Sequence, residues 1–133
     1  MLLEAMIQKL GEEFPSLELS VNKDEHIVSI PAKHKDVGGI DIQDDEYELT
    51  VYLGNFTHWH VGCYEKNLNE KEKANFITTE VTDFLKDLFK DEVVMWGSHE
   101  KGGGFYHKGE KPNSKSWLGA QHQEFVWSGS LDS

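Results

Sequence analysis

The apolar residues near the start of the chain recur at helical spacing. Their pattern predicts an amphipathic helix over residues 2–13 with one apolar stripe. Gly11 and Pro15 favour an end to the helix here, because proline cannot continue the backbone hydrogen bonds and restrains the residue before it. The residues of the stripe are Leu3, Met6, Ile7, Leu10 and Phe14.

Shorter segments that alternate apolar and polar residues predict strands. The first two such segments are separated by the turn residues 22–25, and Pro31 closes the second. Later β-type segments follow the same reasoning. The predicted strands, apart from one hairpin, are 17–21, 26–30, 92–96 and 124–127, and the candidate short strands are 39–42 and 105–107.

The strongest β-signal is a hairpin over residues 47–63. A two-residue loop would pair Val51 with His58 and place histidines on the apolar face. A three-residue loop, 54–56, pairs Val51 with Trp59 and keeps the apolar residues together, so the pattern favours it. This register places three residues together on the polar face and turns the lone Cys63 toward the apolar face. The three are Tyr52, His58 and His60.

A long helix is predicted over residues 69–90. Asn69 is a suitable N-cap, and Glu72 stands at the capping-box position three residues later. Its apolar stripe indicates that the helix packs on one face of the sheet. The whole chain, 1–133, is therefore predicted to be a single α+β domain, with an N-terminal helix, the long helix and an antiparallel sheet of about five to seven strands.

Composition narrows the class of protein. The 133 residues are 38% hydrophobic and 11% aromatic, which is typical of a folded domain. One cysteine excludes a disulfide-rich secreted fold. Glu4 interrupts the first apolar run, and no run reaches the roughly 20 residues of a membrane span. These features predict a cytoplasmic protein that does not bind membranes.

The charge is strongly negative and unevenly distributed. The formal net charge is -11; residues 1–97 carry 9 lysines and 20 acids, whereas residues 98–133 carry 4 of each. No arginine is present, so the usual residue for phosphate and guanine recognition is missing and nucleic-acid binding is disfavoured. The same charge favours a basic protein partner, although it also serves simply to keep a small protein soluble.

Two segments are candidates for partner binding. The first is an acidic cluster of Asp41, Asp44, Asp45, Glu46 and Glu48. Its oxygens suit a hard cation, but its spacing does not match a calcium-binding loop, which favours a solvated loop and strand face. The second, 97–122, is rich in glycine and aromatic residues and is too long for an idle connection. Its candidate contacts are Tyr106 and Trp117.

The closely spaced histidines suggest an alternative. His58 and His60 on one strand face lie about 6–7 Å apart at the backbone, near enough to share a metal ion. No recognisable spacing in the sequence identifies a third ligand for the metal. Two histidines on a half-exposed strand are also commonly ordinary polar surface residues. The alternative function is a small metal-dependent or hydrolytic enzyme built on this pair; the main prediction includes no cofactor.

The leading hypothesis is a non-enzymatic binding domain. In size and charge the chain resembles small acidic cytosolic proteins that bind and neutralise a partner, immunity proteins of bacterial toxins among them. This resemblance rests on no particular motif. It implies an inhibitor-like or immunity-like role toward a basic protein.

Overall fold

The computed structural model describes residues 2–54, 56–98, 102–108 and 124–130. Within these ranges the chain forms two helices and nine strands, so the predicted α+β class is confirmed. None of the described helices is long and apolar enough to cross a membrane. In chain order the elements are α1 (Leu2–Glu13), β1 (Ser20–Asn22), β2 (Ile27–Ile30), β3 (Ile40–Asp44), β4 (Glu48–Leu53), β5 (Thr57–Gly62), α2 (Glu70–Phe89), β6 (Val93–Ser98), β7 (Gly102–His107), β8 (Glu124–Val126) and β9 (Gly129–Ser130).

Strands β1 to β5 form one antiparallel sheet in sequence order. Because side chains alternate across a strand, most apolar residues of β2 to β5 lie on one face, the inner face, although Ile27 lies on the other. Val28, Ile42 and Val51 stand side by side on this inner face and are fully buried. The polar residues of the same strands are thereby turned to the opposite, outer face.

The predicted register of the β4–β5 hairpin is confirmed. Leu53 pairs with Thr57 and Val51 pairs with Trp59, as a three-residue loop requires. Gly54 begins the loop with φ at 51°, and a Cβ placed there would lie 1.9 Å from the carbonyl oxygen of Val37. Glycine is needed at this position both for the backbone conformation and for the close approach of the neighbouring loop.

The long helix α2 has the capping box that the sequence predicts. The Asn69 side chain accepts from the Glu72 backbone N–H at 2.8 Å, and the Glu72 side chain accepts from the Asn69 backbone N–H at 3.2 Å. The helix contacts β4, β5, β6 and α1. Its buried side contributes Ile77, Val81, Phe84, Leu85 and Leu88 to the core.

The remaining strands form a second antiparallel sheet, in the order β7-β6-β8-β9. The predicted antiparallel sheet of about five to seven strands is present as the five-stranded sheet, and the other four described strands form the second sheet, which was not predicted. Alternation in a sequence tells which face of a strand is apolar but not which strand it pairs with, so this division could not be read from the pattern. Most of segment 97–122 lies outside the described residues.

The first strand is displaced from its predicted position. The prediction was residues 17–21, and pairing with β2 covers only Ser20–Asn22. Leu17 and Leu19, which produced the alternating pattern, are partly buried and pack against the core before the strand begins. Burial, rather than strand pairing, explains the apolar residues at these positions.

Aromatic rings connect the two sheets across α2. The Phe84 ring lies 4.8 Å from the Trp59 ring of β5 and 5.0 Å from the Phe105 ring of β7, between centroids. Trp59 and Phe105 are themselves 6.1 Å apart. Offset and edge-to-face pairs of this kind add stability beyond the apolar area that they bury.

Candidate functional site

The outer face of the five-stranded sheet collects the polar side chains of its strands. Cross-strand pairing aligns these residues in two rows, because residues paired directly opposite each other share a face. One row runs through β2, β3, β4 and β5, and the second through β3, β4 and β5. The rows are Ser29, Asp41, Tyr52 and His58, and Gln43, Thr50 and His60.

The predicted grouping of Tyr52, His58 and His60 is present on this face. The His58 ring lies 5.9 Å from the Tyr52 ring and 5.1 Å from the His60 ring, edge to face in the second case. The Tyr52 hydroxyl donates a hydrogen bond of 3.3 Å to Gln43 Oε1. Tyr52 is nevertheless 39% exposed, so an ordered aromatic ring faces outward.

A second group, the Asp45–Glu48–His60 cluster, lies at the end of the outer face. One ligand atom from each of these three residues lies within 4.8 Å of the other two. Glu48 Oε1 is 3.3 Å from His60 Nδ1. The Thr50 hydroxyl donates to the Asp45 carboxylate and lies 3.0 Å from the same His60 nitrogen. The Tyr64 hydroxyl donates to Glu48 Oε2 at 3.2 Å, and this contact raises the pKa of Tyr64.

The grouping of Asp45 and Glu48 with His60 was not predicted from the sequence, although the predicted register contained a signal for it. Glu48 pairs with Gly62, two residues beyond His60, so Glu48 and His60 are diagonal neighbours on one face. Asp45 is brought near by the β3–β4 turn, where its backbone N–H donates to the carbonyl oxygen of Glu48 at 2.9 Å. Glu46 in this turn has φ at 74°, a conformation that a sequence pattern does not reveal.

The four predicted acidic residues have different surroundings. Asp41 is exposed on the outer face and accepts a 2.6 Å hydrogen bond from the Ser29 hydroxyl. Asp44 instead accepts from the Leu3 backbone N–H at 3.0 Å and from the Glu46 backbone N–H at 2.9 Å. Asp45 belongs to the cluster, and Glu46 is exposed in the turn. Asp44 is therefore tied to the start of α1 by its carboxylate.

Of the two predicted aromatic contacts, Tyr106 lies among the described residues. Tyr106 of β7 is partly buried, and its hydroxyl donates to the carboxylate of Glu124 on β8. Burial, followed by the contact with Glu124, raises the pKa of Tyr106 to about 12. Trp117 lies outside the described residues.

Two functional predictions from the sequence are not tested by these contacts. The predicted metal-dependent or hydrolytic enzyme built on His58 and His60 stays a prediction, as does the use of Tyr106 and Trp117 by a partner. Comparison with protein-family models, curated proteins and solved structures gave no match for this chain.

Proposed function

We propose that this protein is a non-enzymatic domain that binds a basic protein partner through the outer face of the five-stranded sheet. The observation that carries the proposal is the composition of this face. Strands β1 to β5 contain no lysine, and the chain contains no arginine. Asp41 supplies a carboxylate opposite the exposed Tyr52, and Asp45 and Glu48 supply two more beside His60 at the end of the face.

Tyrosine and histidine side chains suit a binding surface of this kind. A tyrosine gives a large contact area at a low cost in conformational entropy, and Tyr52 is already held by Gln43 and the His58 ring. A side chain that is ordered before binding loses less freedom on binding. Asp44 and Tyr106 are left out of the proposed surface, because their polar groups bond to other parts of the fold.

The overall charge supports a basic partner. A net charge of -11 creates a field that accelerates encounter with a cationic protein, and salt weakens this attraction. Complementary charges also reject acidic competitors, as an inhibitor-like or immunity-like protein requires.

The test uses two variants with matched chemistry on different surfaces. Asp41→Asn/Tyr52→Ala removes one exposed carboxylate and one exposed aromatic ring from the outer face. Asp83→Asn/Phe76→Ala makes the equivalent changes on α2, where Phe76 is 43% exposed and Asp83 is exposed. The wild type and both variants serve as baits in lysate of the source organism. Each captured protein is then purified, and its Kd is measured at 50 and 300 mM salt.

We expect a basic protein that binds the wild type and the α2 variant alike. Its Kd should rise at least about tenfold for the outer-face variant and at least about tenfold with the increase in salt, because charge pairs and an aromatic contact are lost or screened. Equal binding by the two variants, or a Kd that does not change with salt, would refute the proposed surface. Far-UV circular dichroism confirms that both variants are folded.

A further inference from the structure

We propose that Asp45, Glu48 and His60 form a binding site for a divalent transition-metal ion, of which Zn²⁺ fits best. The proposal goes beyond the binding of a protein partner and does not depend on it. It also differs from the predicted His58–His60 pair, because only His60 is shared between the two sites.

The spacing of the ligand atoms is suitable for one ion. Zinc–nitrogen and zinc–oxygen bonds of about 2.0–2.2 Å at a tetrahedral angle separate two ligand atoms by about 3.3–3.5 Å. Glu48 Oε1 and His60 Nδ1 are 3.3 Å apart. The Asp45 ligand atom lies within 4.8 Å of both other ligand atoms.

The types of ligand atom indicate the class of metal. Calcium and magnesium prefer sites made wholly of oxygen, whereas an imidazole nitrogen with carboxylate oxygens suits zinc and its transition-metal neighbours. The imidazole distinguishes this cluster from an ordinary group of surface acids. The His60 side chain is 53% exposed and that of Glu48 is 30% exposed, so water can occupy the remaining coordination position.

Neighbouring hydroxyl groups donate hydrogen bonds to the two carboxylate ligands, Asp45 and Glu48. Thr50 is 1% exposed, and its hydroxyl donates to Asp45 and contacts the His60 ring. Tyr64 donates to Glu48 Oε2, the oxygen that does not face His60. Hydrogen bonds from outside the ligand set hold metal-binding carboxylates in position in this way. Glu48 Oε1 is the oxygen that lies 3.3 Å from His60 Nδ1.

His58 provides a matched control within the same strand. It is exposed on the same face and lies beside His60, with the two rings 5.1 Å apart, yet it does not belong to the cluster. His58→Ala therefore removes an equivalent imidazole without removing a proposed ligand. If zinc bound only weakly to exposed imidazoles in general, His58→Ala and His60→Ala would reduce its binding equally.

The test is isothermal titration of the untagged, chelator-treated full chain with zinc chloride. We expect one ion per chain for the wild type and for His58→Ala. His60→Ala, Asp45→Asn and Glu48→Gln should each weaken binding at least about tenfold, because each removes one ligand. Nitrogen chemical shifts of the imidazoles give a second measurement, in which zinc should shift the resonances of His60 far more than those of His58.

Three results would overturn the proposal. The first is the absence of stoichiometric zinc binding by the wild type. The second is loss of binding in His58→Ala as large as in His60→Ala, which would assign the ion to the histidine pair. The third is unchanged affinity in Asp45→Asn or Glu48→Gln. None of these measurements involves a protein partner, so failure here is distinct from failure of the proposed function.

Discussion

Replacing Asp44 by alanine tests whether this acidic residue stabilises the fold. Leu3 is the second residue of α1, so its backbone N–H has no acceptor within the helix. The Asp44 carboxylate, 41 residues away, supplies the acceptor at 3.0 Å. A carboxylate beside a helix N-terminus is also favoured by the helix dipole. Asp44→Ala should therefore destabilise the fold rather than only reduce its charge.

The expected cost follows from the surroundings of the two hydrogen bonds. The Leu3 N–H is partly buried, and leaving such a donor without an acceptor costs about 1–3 kcal/mol. The Glu46 N–H is exposed, so water can replace the second bond at little cost. The sum is about 2 kcal/mol, which is near the upper end of measured losses of helix caps.

Equilibrium unfolding in urea measures this difference. With a denaturant slope of about 2 kcal/mol per molar, the midpoint of Asp44→Ala should fall by about 1 M. Asp41→Ala is the control, because it removes the same charge from an exposed position on the same strand. We expect its midpoint to change by less than about 0.3 M, as for ordinary surface substitutions. Coincident midpoints for the two variants would show that the Asp44 contacts do not stabilise the fold.

Three further substitutions test other features of the fold. Gly54→Ala should lower the unfolding free energy by more than about 1 kcal/mol, because the added Cβ meets the Val37 carbonyl oxygen and φ is positive; an unchanged urea midpoint would contradict this. Asn69→Ala should cost about 0.5–2 kcal/mol through loss of the capping box, a loss that unfolding in urea would reveal. The pKa of Tyr106 is about 12 when folded against an ordinary 10.0, so its stabilising effect is complete below pH 10 and is lost as the pH rises toward 12. Raising the pH from 9 to 11 should thus lower the midpoint of the wild type more than that of Tyr106→Phe, and equal losses would refute the raised pKa of Tyr106.

Local signals in the sequence predicted individual elements well. The capping box at Asn69 depends on residues three positions apart, and the stripe of α2 depends on helical periodicity. The hairpin register was also predictable, because only one loop length keeps Val51 and Trp59 on the same apolar face. In each case the deciding interaction lies within a few residues or a single turn.

The features that were missed depend on contacts between distant parts of the chain. Nothing in the pattern of residues 17–21 distinguishes a paired strand from an apolar segment packed on the core. Asp44 could not be separated from its acidic neighbours, because its acceptor role requires α1 to lie beside the end of β3. The candidate metal cluster forms because the β3–β4 turn brings Asp45 close to His60, and this turn includes Glu46 with its positive φ.

The aromatic rings between the sheets have a consequence for how the chain unfolds. The Phe84 ring of α2 contacts both Trp59 of the first sheet and Phe105 of the second, and these two rings also contact each other. Separating either sheet from α2 would expose the Phe84 ring to water. The loss of one sheet would therefore also weaken the packing of the other sheet against α2. We therefore expect the two sheets to melt in one cooperative transition, with the tryptophan fluorescence and the helical circular dichroism of the chain changing together.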